Sequence, residues 1–282
     1  MYHSGMRRHQ NPCLQRLILE SRRHFRAHGR THLPWRRARN PYRVLVSEVM
    51  LQQTQVDRVI PFYRAFLKKF PTLQKLAQAP LSDVLGVWQG LGYNRRGKML
   101  SDAAKKIMEE YSGRFPREVG EIEKLSGVGP YTARAVAVFA FNVPEVFIET
   151  NIRTVFLHHC FADRRRVDDK EILPLVAQAL DGSKMQPRDF YSALMDYGSY
   201  LKHSGIKLNT RSSHYVKQSK FEGSRRQLRG KIFRLLLQKP YTASALAYEC
   251  GWELREVQKE LLRLQEEGLV VLGKRKLLSL SD

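Results

Sequence analysis

Between residues 12 and 203 the apolar positions return every three to four residues, as in VIPFYRAFLKKF and DFYSALMDYGSYL, and Pro or Gly interrupts the pattern at short intervals. That period belongs to amphipathic helices joined by short connections, and it predicts an all-α region over most of the chain. Strand-like runs are scarce before residue 268. The best of them, Val143–Ile148, lies between two helical segments and is expected to be an extended loop. From Leu208 to Gly223 the chain is polar and basic without a core period, which predicts a linker. Beyond it Arg225–Gln238, Ala243–Cys250 and Glu253–Glu267 read as three helices, the last stopped by Gly268. The tail LVVLGKRKLLSL then carries two short apolar runs around Gly273–Lys274, a hairpin signal. Three helices and a hairpin predict a winged helix-turn-helix domain. The expected organisation is a helical domain over 1–207, a basic linker or loop over 208–223 and a winged-helix domain over 224–282.

Composition narrows the class. Of 282 residues 43% are hydrophobic and 10% aromatic, enough apolar surface to offset chain entropy and to exclude a disordered protein. Lys and Arg number 49 against 27 Asp and Glu, a formal net charge of +22. Such an excess concentrates polyanions around the molecule, so nucleic acid is the expected partner, with a merely soluble basic protein or an anionic-membrane binder as the alternative. No uninterrupted apolar stretch reaches membrane-spanning length, and no membrane partner is expected. The N-terminal MYHSGMRRHQNPCLQRLILE lacks an apolar leader core and a small-residue cleavage site, so a cytoplasmic, nucleoid-associated location is expected. Cys13, Cys160 and Cys250 are far apart and odd in number, which predicts buried or free thiols rather than a disulfide framework. In the third predicted C-terminal helix Arg255, Lys259 and Arg263 recur at four-residue spacing. This basic stripe suits a DNA groove or a row of phosphates, with a dimerisation or partner-docking module as the alternative.

Residues 121–140, EIEKLSGVGPYTARAVAVFA, read as a helix, an LSGVG turn and a second helix opened by Pro130 at its first position. Two glycines permit a tight turn and leave backbone N–H groups facing outward at a helix N-terminus, an arrangement that holds an anion. Gly127, Val128, Gly129 and Thr132 are therefore candidate ligands of a DNA phosphate; an ordinary glycine-rich helix connection is the alternative.

LSGVGPYTA resembles the helix-hairpin-helix signature of the endonuclease III and MutY superfamily. The stretch LPWRRARNPYRVLVSEVMLQQTQVDRVIPFYRAFLKKFPT is similar to the MutY-type N-terminal core, and WQGLGYNRRGKML and FIETNIRTVF extend the match in the same order. The resemblance covers about residues 14–205. It implies the helix-hairpin-helix DNA glycosylase fold, with two helical subdomains and the active site between them. The implied activity is excision of a mispaired base, adenine opposite 8-oxoguanine or guanine, from double-stranded DNA by a monomeric enzyme. A thymine or uracil mismatch glycosylase of the same fold and a non-catalytic DNA-binding protein are the alternatives.

Cleaving a purine N-glycosidic bond builds positive charge on the sugar and negative charge on the departing base, so the site needs an acid and an anion. Glu48, in SEVMLQQTQV, is an acid on an otherwise apolar helix face, where burial would keep it protonated. The resemblance matches it to the glutamate that protonates the adenine ring; a surface acid paired with Arg43 or Arg58 is the plainer alternative. Glu149, in FIETNIRTV, stands where the superfamily has an aspartate at a helix start, favoured there as an anion by the helix dipole. The extra methylene displaces the carboxylate, and a plain helix-start acid, with the cap supplied by Thr150 or Asn151, is the alternative. Asn151 is the implied positioning neighbour. Tyr131 occupies the place of the lysine with which bifunctional relatives form a Schiff base, and a phenol cannot form one, so strand nicking should be feeble.

By the same resemblance Gln52 and Gln53 probe the duplex vacated by the flipped nucleotide, and Trp35 in LPWR lines the base pocket or packs in the core. Asn94 replaces the second tyrosine of the GLGYY pattern, which wedges into the duplex, while Arg95 and Arg96 are candidate phosphate contacts. Two further departures stand out. The four closely spaced cysteines that follow SALMDYGSYLKHSG in the family are missing, so no iron–sulfur cluster is expected; a monovalent or magnesium ion at the hairpin is left open. The 8-oxoguanine-reading C-terminal domain is replaced by the predicted winged helix.

Overall fold

The computed structural model describes residues 11–215 and 220–281. The first ten residues of the segment read for a leader, and residues 216–219 of the expected linker, lie outside the described residues. In chain order the helices are α1 (Pro12–His28), α2 (Pro41–Leu51), α3 (Val56–Lys69), α4 (Leu73–Ala77), α5 (Leu81–Trp88), α6 (Arg95–Glu110), α7 (Val119–Glu123) and α8 (Pro130–Val136). They continue with α9 (Thr150–Cys160), α10 (Asp169–Ser183), α11 (Pro187–His203), α12 (Arg225–Leu236), α13 (Ala243–Cys250) and α14 (Leu254–Glu266), and β1 (Val270–Leu272) pairs with β2 (Leu278–Leu280). Helix starts follow local chemistry. Asn11 and Asn40 cap α1 and α2 ahead of a proline in the first turn, and Asp168 and Glu171 form a reciprocal capping box on α10.

The described residues divide into two compact units, each built from two stretches of sequence: residues 11–39 with 134–215, and residues 40–133 with 220–281. In the first, α1, α9, α10 and α11 pack around Leu17, Val155, Phe156, Tyr191 and Leu194. Residues 143–148 form a loop without strand pairing, as the sequence predicts. Residues 209–213 do not swing free. Thr154 Oγ1 donates to Asn209 Oδ1 at 3.3 Å, and Ser213 N donates to the Val167 carbonyl at 3.1 Å.

The second unit surrounds Val46, Val59, Phe66, Trp88, Leu100 and Ile107, with the Trp88 ring edge-on to Phe66 at 5.9 Å. Its C-terminal stretch packs α12, α13 and α14 around Ile232, Phe233, Leu246, Val257 and Leu261, and the β1–β2 hairpin follows. Tyr241, between α12 and α13, exchanges backbone hydrogen bonds with Leu278 and adds a bridge to that hairpin.

One expectation fails. Cys13 and Cys160, 147 residues apart, form a disulfide with their Cα atoms 5.4 Å apart, and only Cys250 is a free, buried thiol. Packing of α1 against α9 brings together two positions that spacing along the chain keeps apart.

Candidate functional site

In the second unit, α2 carries the run Val44, Leu45, Val46, Val49 and Met50, all buried, and Glu48 is its acidic member. Glu48 is itself only 8% exposed. An acid drawn into an apolar face needs polar company, and Tyr131 supplies it from the first turn of α8, its hydroxyl donating to Glu48 Oε2 at 3.3 Å. The next residue of α8, Thr132, is buried and accepts a hydrogen bond from Gln52 Nε2 at 3.3 Å. The α2 C-terminus and the helix after the glycine turn thus put Glu48, Tyr131, Gln52 and Thr132 in one neighbourhood. Gln53 follows in a left-handed conformation (φ 54°) with its side chain exposed.

Arg96 holds that end of α2. Its guanidinium donates to the carbonyls of Val49 (2.8 Å), Met50 (3.0 Å), Gln52 (2.5 Å) and Gly92 (3.1 Å) and to Thr54 Oγ1 (3.1 Å). A helix leaves its last carbonyls unpaired and carries partial negative charge there, so a buried cation fits the place. Burial also depresses the Arg96 pKa to about 10. The expectation that Arg96 contacts DNA phosphates is therefore corrected: its guanidinium is buried and both of its terminal nitrogens donate inside the protein, whereas its neighbour Arg95 is exposed. Asn94 is buried, at 9% exposure, and precedes α6 without capping it through its side chain, so it does not project as a wedge. Tyr93 was not singled out in the sequence, although it lies in the quoted GLGYN motif. It takes φ 52°, and Arg96 and Arg226 flank its ring at 5.2 Å and 6.0 Å. Arg226 Nη1 also donates to its hydroxyl at 3.1 Å.

At the turn between α7 and α8, Gly127 has φ 75°, and a Cβ there would stand 2.8 Å from the Met99 side chain. A side chain is excluded twice, by backbone and by space. A Cβ at Gly129 would meet nothing, so that side of the turn is open to close approach. Val128 between them is buried and anchors the turn. Arg255 and Lys259 lie on the exposed face of α14, in register with Arg263, which also pairs with the buried Glu260.

The remaining predicted residues belong to the first unit. Segment 142–149 is tied down by Tyr191, which stacks on Phe147 at 4.0 Å and donates its hydroxyl to the Glu145 carbonyl at 2.8 Å. That anchoring delivers Glu149 to the start of α9. Glu149 is itself the N-cap: Oε1 accepts from the backbone N–H of Asn151 at 2.8 Å and of Ile152 at 2.9 Å. Asn151 Nδ2 donates to Oε2 at 3.2 Å, and Lys202 Nζ donates to Asn151 Oδ1 at 3.4 Å. Burial pushes the Glu149 pKa up, against the two amides, Lys202 and Arg153, which favour the carboxylate. Lys202 was not anticipated, but it stands one turn after Gly198, where any Cβ would overlap the Asn151 carbonyl. Trp35, 9% exposed, is buried in a loop whose Arg30 and Arg36 both donate to the buried Asp196 carboxylate at 2.7 Å.

A four-thiolate cluster does not fit this chain. It holds three cysteines, two of them joined to each other and the third in α13.

A family model described as the HhH-GPD superfamily of base excision DNA repair proteins matches residues 46–178, a span that includes Glu48, the glycine turn and Glu149. An adenine DNA glycosylase from Mycolicibacterium smegmatis is 33% identical over 261 residues, which cover 86% of this chain and 89% of that protein. The adenine DNA glycosylase of Buchnera aphidicola subsp. Baizongia pistaciae is 36% identical over 186 residues, and that of Homo sapiens 40% identical over 182. The match spans 51% and 32% of those two relatives and 65% and 59% of this chain. Among solved structures, a thermostable thymine-DNA glycosylase superposes with a TM-score of 0.60 at 25% identity, over 72% of this chain and 96% of the other. An endonuclease III–DNA complex superposes with a TM-score of 0.53 at 22% identity, over 67% and 83%, a likeness of fold.

Proposed function

The chain belongs to the HhH-GPD superfamily of base excision DNA repair proteins, in its adenine DNA glycosylase family, and from that premise we propose that it hydrolyses the N-glycosidic bond of adenine mispaired with 8-oxoguanine or guanine in double-stranded DNA. The observation that carries the reading is the buried Glu48 carboxyl at the end of α2, touched by the Tyr131 hydroxyl and next to Gln52. Glu48 gives its proton to a ring nitrogen of the flipped adenine as the bond from that base to C1′ breaks. The electron pair leaves with the base, and the sugar becomes oxocarbenium-like. The Glu149 carboxylate, fixed by two backbone amides and Asn151, stabilises that cation. Glu48, now ionised, takes a proton from the water that adds to C1′. Tyr131 offers no amine, so the abasic product is released with its strand intact.

Gln52 and Gln53 follow α2 and fill the duplex where the base has left. The backbone at Gly127–Gly129, with Thr132 behind it, takes a phosphate. Arg95, Arg255 and Lys259, all exposed, add sequence-independent contacts along the strand. In this reading the C-terminal stretch over 224–282 works as a winged helix on the same duplex. The protein acts as a monomer in the cytoplasm, without a resident cluster.

Single-turnover base release from duplexes carrying A opposite 8-oxoguanine, A opposite G, T opposite G and U opposite G tests the reading, each treated with and without alkali. Alkali-dependent cleavage of the A strand alone is expected, reduced by about 10²–10⁴ in Glu48→Gln with duplex binding kept. Release of T or U instead would move the substrate to a pyrimidine mismatch, the activity named for the thymine-DNA glycosylase neighbour. Binding without release from any duplex would leave a DNA-binding protein that is not an enzyme.

A further inference from the structure

The β1–β2 hairpin ends in Lys274, Arg275 and Lys276, all exposed. Leu272 faces Leu278 in the last pair of the ladder, Gly273 N donates to the Leu277 carbonyl at 2.7 Å, and Leu277 N closes back on the Lys274 carbonyl at 3.3 Å. Arg275 and Lys276 therefore occupy the two central positions of a tight turn, with φ 57° and 58°. This left-handed pair matches the twist of the strands but is disfavoured for any residue with a side chain, and hairpins meet the need with Asn-Gly or Gly-Gly. Here the chain places two cations in the positions where a small residue would be most stable. Gly273, the glycine next to them, has an ordinary negative φ of −92° and does not relieve the turn. Backbone strain retained at an exposed tip points to something the side chains do.

Tyr241 pairs with Leu278 in both directions, at 3.1 Å and 2.8 Å, and Ser281 N donates to the Leu269 carbonyl at 3.1 Å, so the hairpin is fastened at its base to the α12–α13 connection and to the end of α14. Leu278 and Leu280 are buried beneath it, whereas Val271 (45% exposed) and Leu272 (57%) face out beside the cations. A hairpin fastened at its base, with three cations at its end and an apolar flank, complements the phosphate rows that border a DNA groove.

We propose that Lys274, Arg275 and Lys276 form a further phosphate-binding site on duplex DNA, separate from the glycine turn at Gly127–Gly129 and from Arg95, Arg255 and Lys259, and contributing affinity but no base selection. The inference rests on the duplex-binding part of the function proposed above and is independent of which base is released.

The double substitution Arg275→Asn with Lys276→Gly tests it, because it installs the favoured turn residues while removing two charges. Thermal melting should be unchanged or raised, so that any loss of binding is not a loss of folding. Fluorescence anisotropy with an undamaged duplex, over a series of salt concentrations, should show affinity about tenfold weaker near 0.1 M salt. The slope of log K against log salt should be shallower by about two, since each neutralised phosphate contributes about 0.9. Single-turnover release at saturating enzyme should match the unsubstituted protein. The charge-keeping pair Arg275→Lys with Lys276→Arg should bind as the parent does. An unchanged affinity and slope in the Asn-Gly variant, or an equal loss in the charge-keeping one, would overturn the proposal. If the parent protein releases no base but its duplex binding depends on the tip as described, the enzymatic reading fails and this one stands.

Discussion

At Glu149 one carboxyl is pulled two ways. Burial raises its pKa, while two backbone amides, Lys202 and Arg153 act to lower it, and burial wins. The folded protein thus holds this proton more tightly than the unfolded chain does. The resulting stability is complete below the ordinary glutamate value of 4.5 and is lost as pH rises through the higher folded value. Thermal melts across this range should show the unsubstituted protein losing ground to Glu149→Gln as pH climbs above 4.5; parallel curves would place the titration elsewhere. The same substitution should slow adenine release by about 10²–10³, as expected for removing a preorganised electrostatic group. The sequence placed Glu149 at a helix start but left open whether Thr150 or Asn151 caps it. Glu149 caps the helix itself, because the anchored segment before it turns its own carboxylate back over the first turn. Arg96 is the converse case. A basic residue in a motif reads as a phosphate contact until the fold shows its donors closing the end of α2.

At the scale of elements, the α7–α8 turn separates two glycines that look equivalent in LSGVG. Gly127→Ala forces a side chain into φ 75° and against Met99, and should cost about 1–2 kcal/mol from the backbone alone, read as a lower midpoint in denaturant. Gly129→Ala meets no neighbour, so stability should hold while duplex affinity falls several-fold, because the methyl group stands where a phosphate would approach. Loss of stability from both, with affinity untouched, would make the turn an ordinary connection. Most elements were legible from sequence: the three C-terminal helices, the hairpin and the 143–148 loop all follow from periodicity and punctuation. The Cys13–Cys160 bond was not. Periodicity gives each helix its buried face but not the helix that will cover it, and the bond depends on α1 meeting α9.

Over the whole molecule, the formal charge of +22 sets how the protein meets DNA before any site is engaged. With six or more phosphates neutralised, affinity for an undamaged duplex should fall by about 10³ or more between 50 and 200 mM salt. Filter binding or anisotropy would check this, and a flat response would mean that the charge serves solubility alone. Charge, helical class, the glycine turn, the Glu48 motif and the shortage of thiols are properties of composition and local order, so the sequence by itself determined them. Tertiary structure decided which residues keep those roles. It buried Arg96 and Asn94, joined two distant cysteines, set Tyr131 against Glu48, put Arg226 on Tyr93, and fixed two cations in left-handed backbone at the hairpin tip. All but the last depend on contacts between residues remote in the chain, and local periodicity carries no information about which distant partner a side chain will meet.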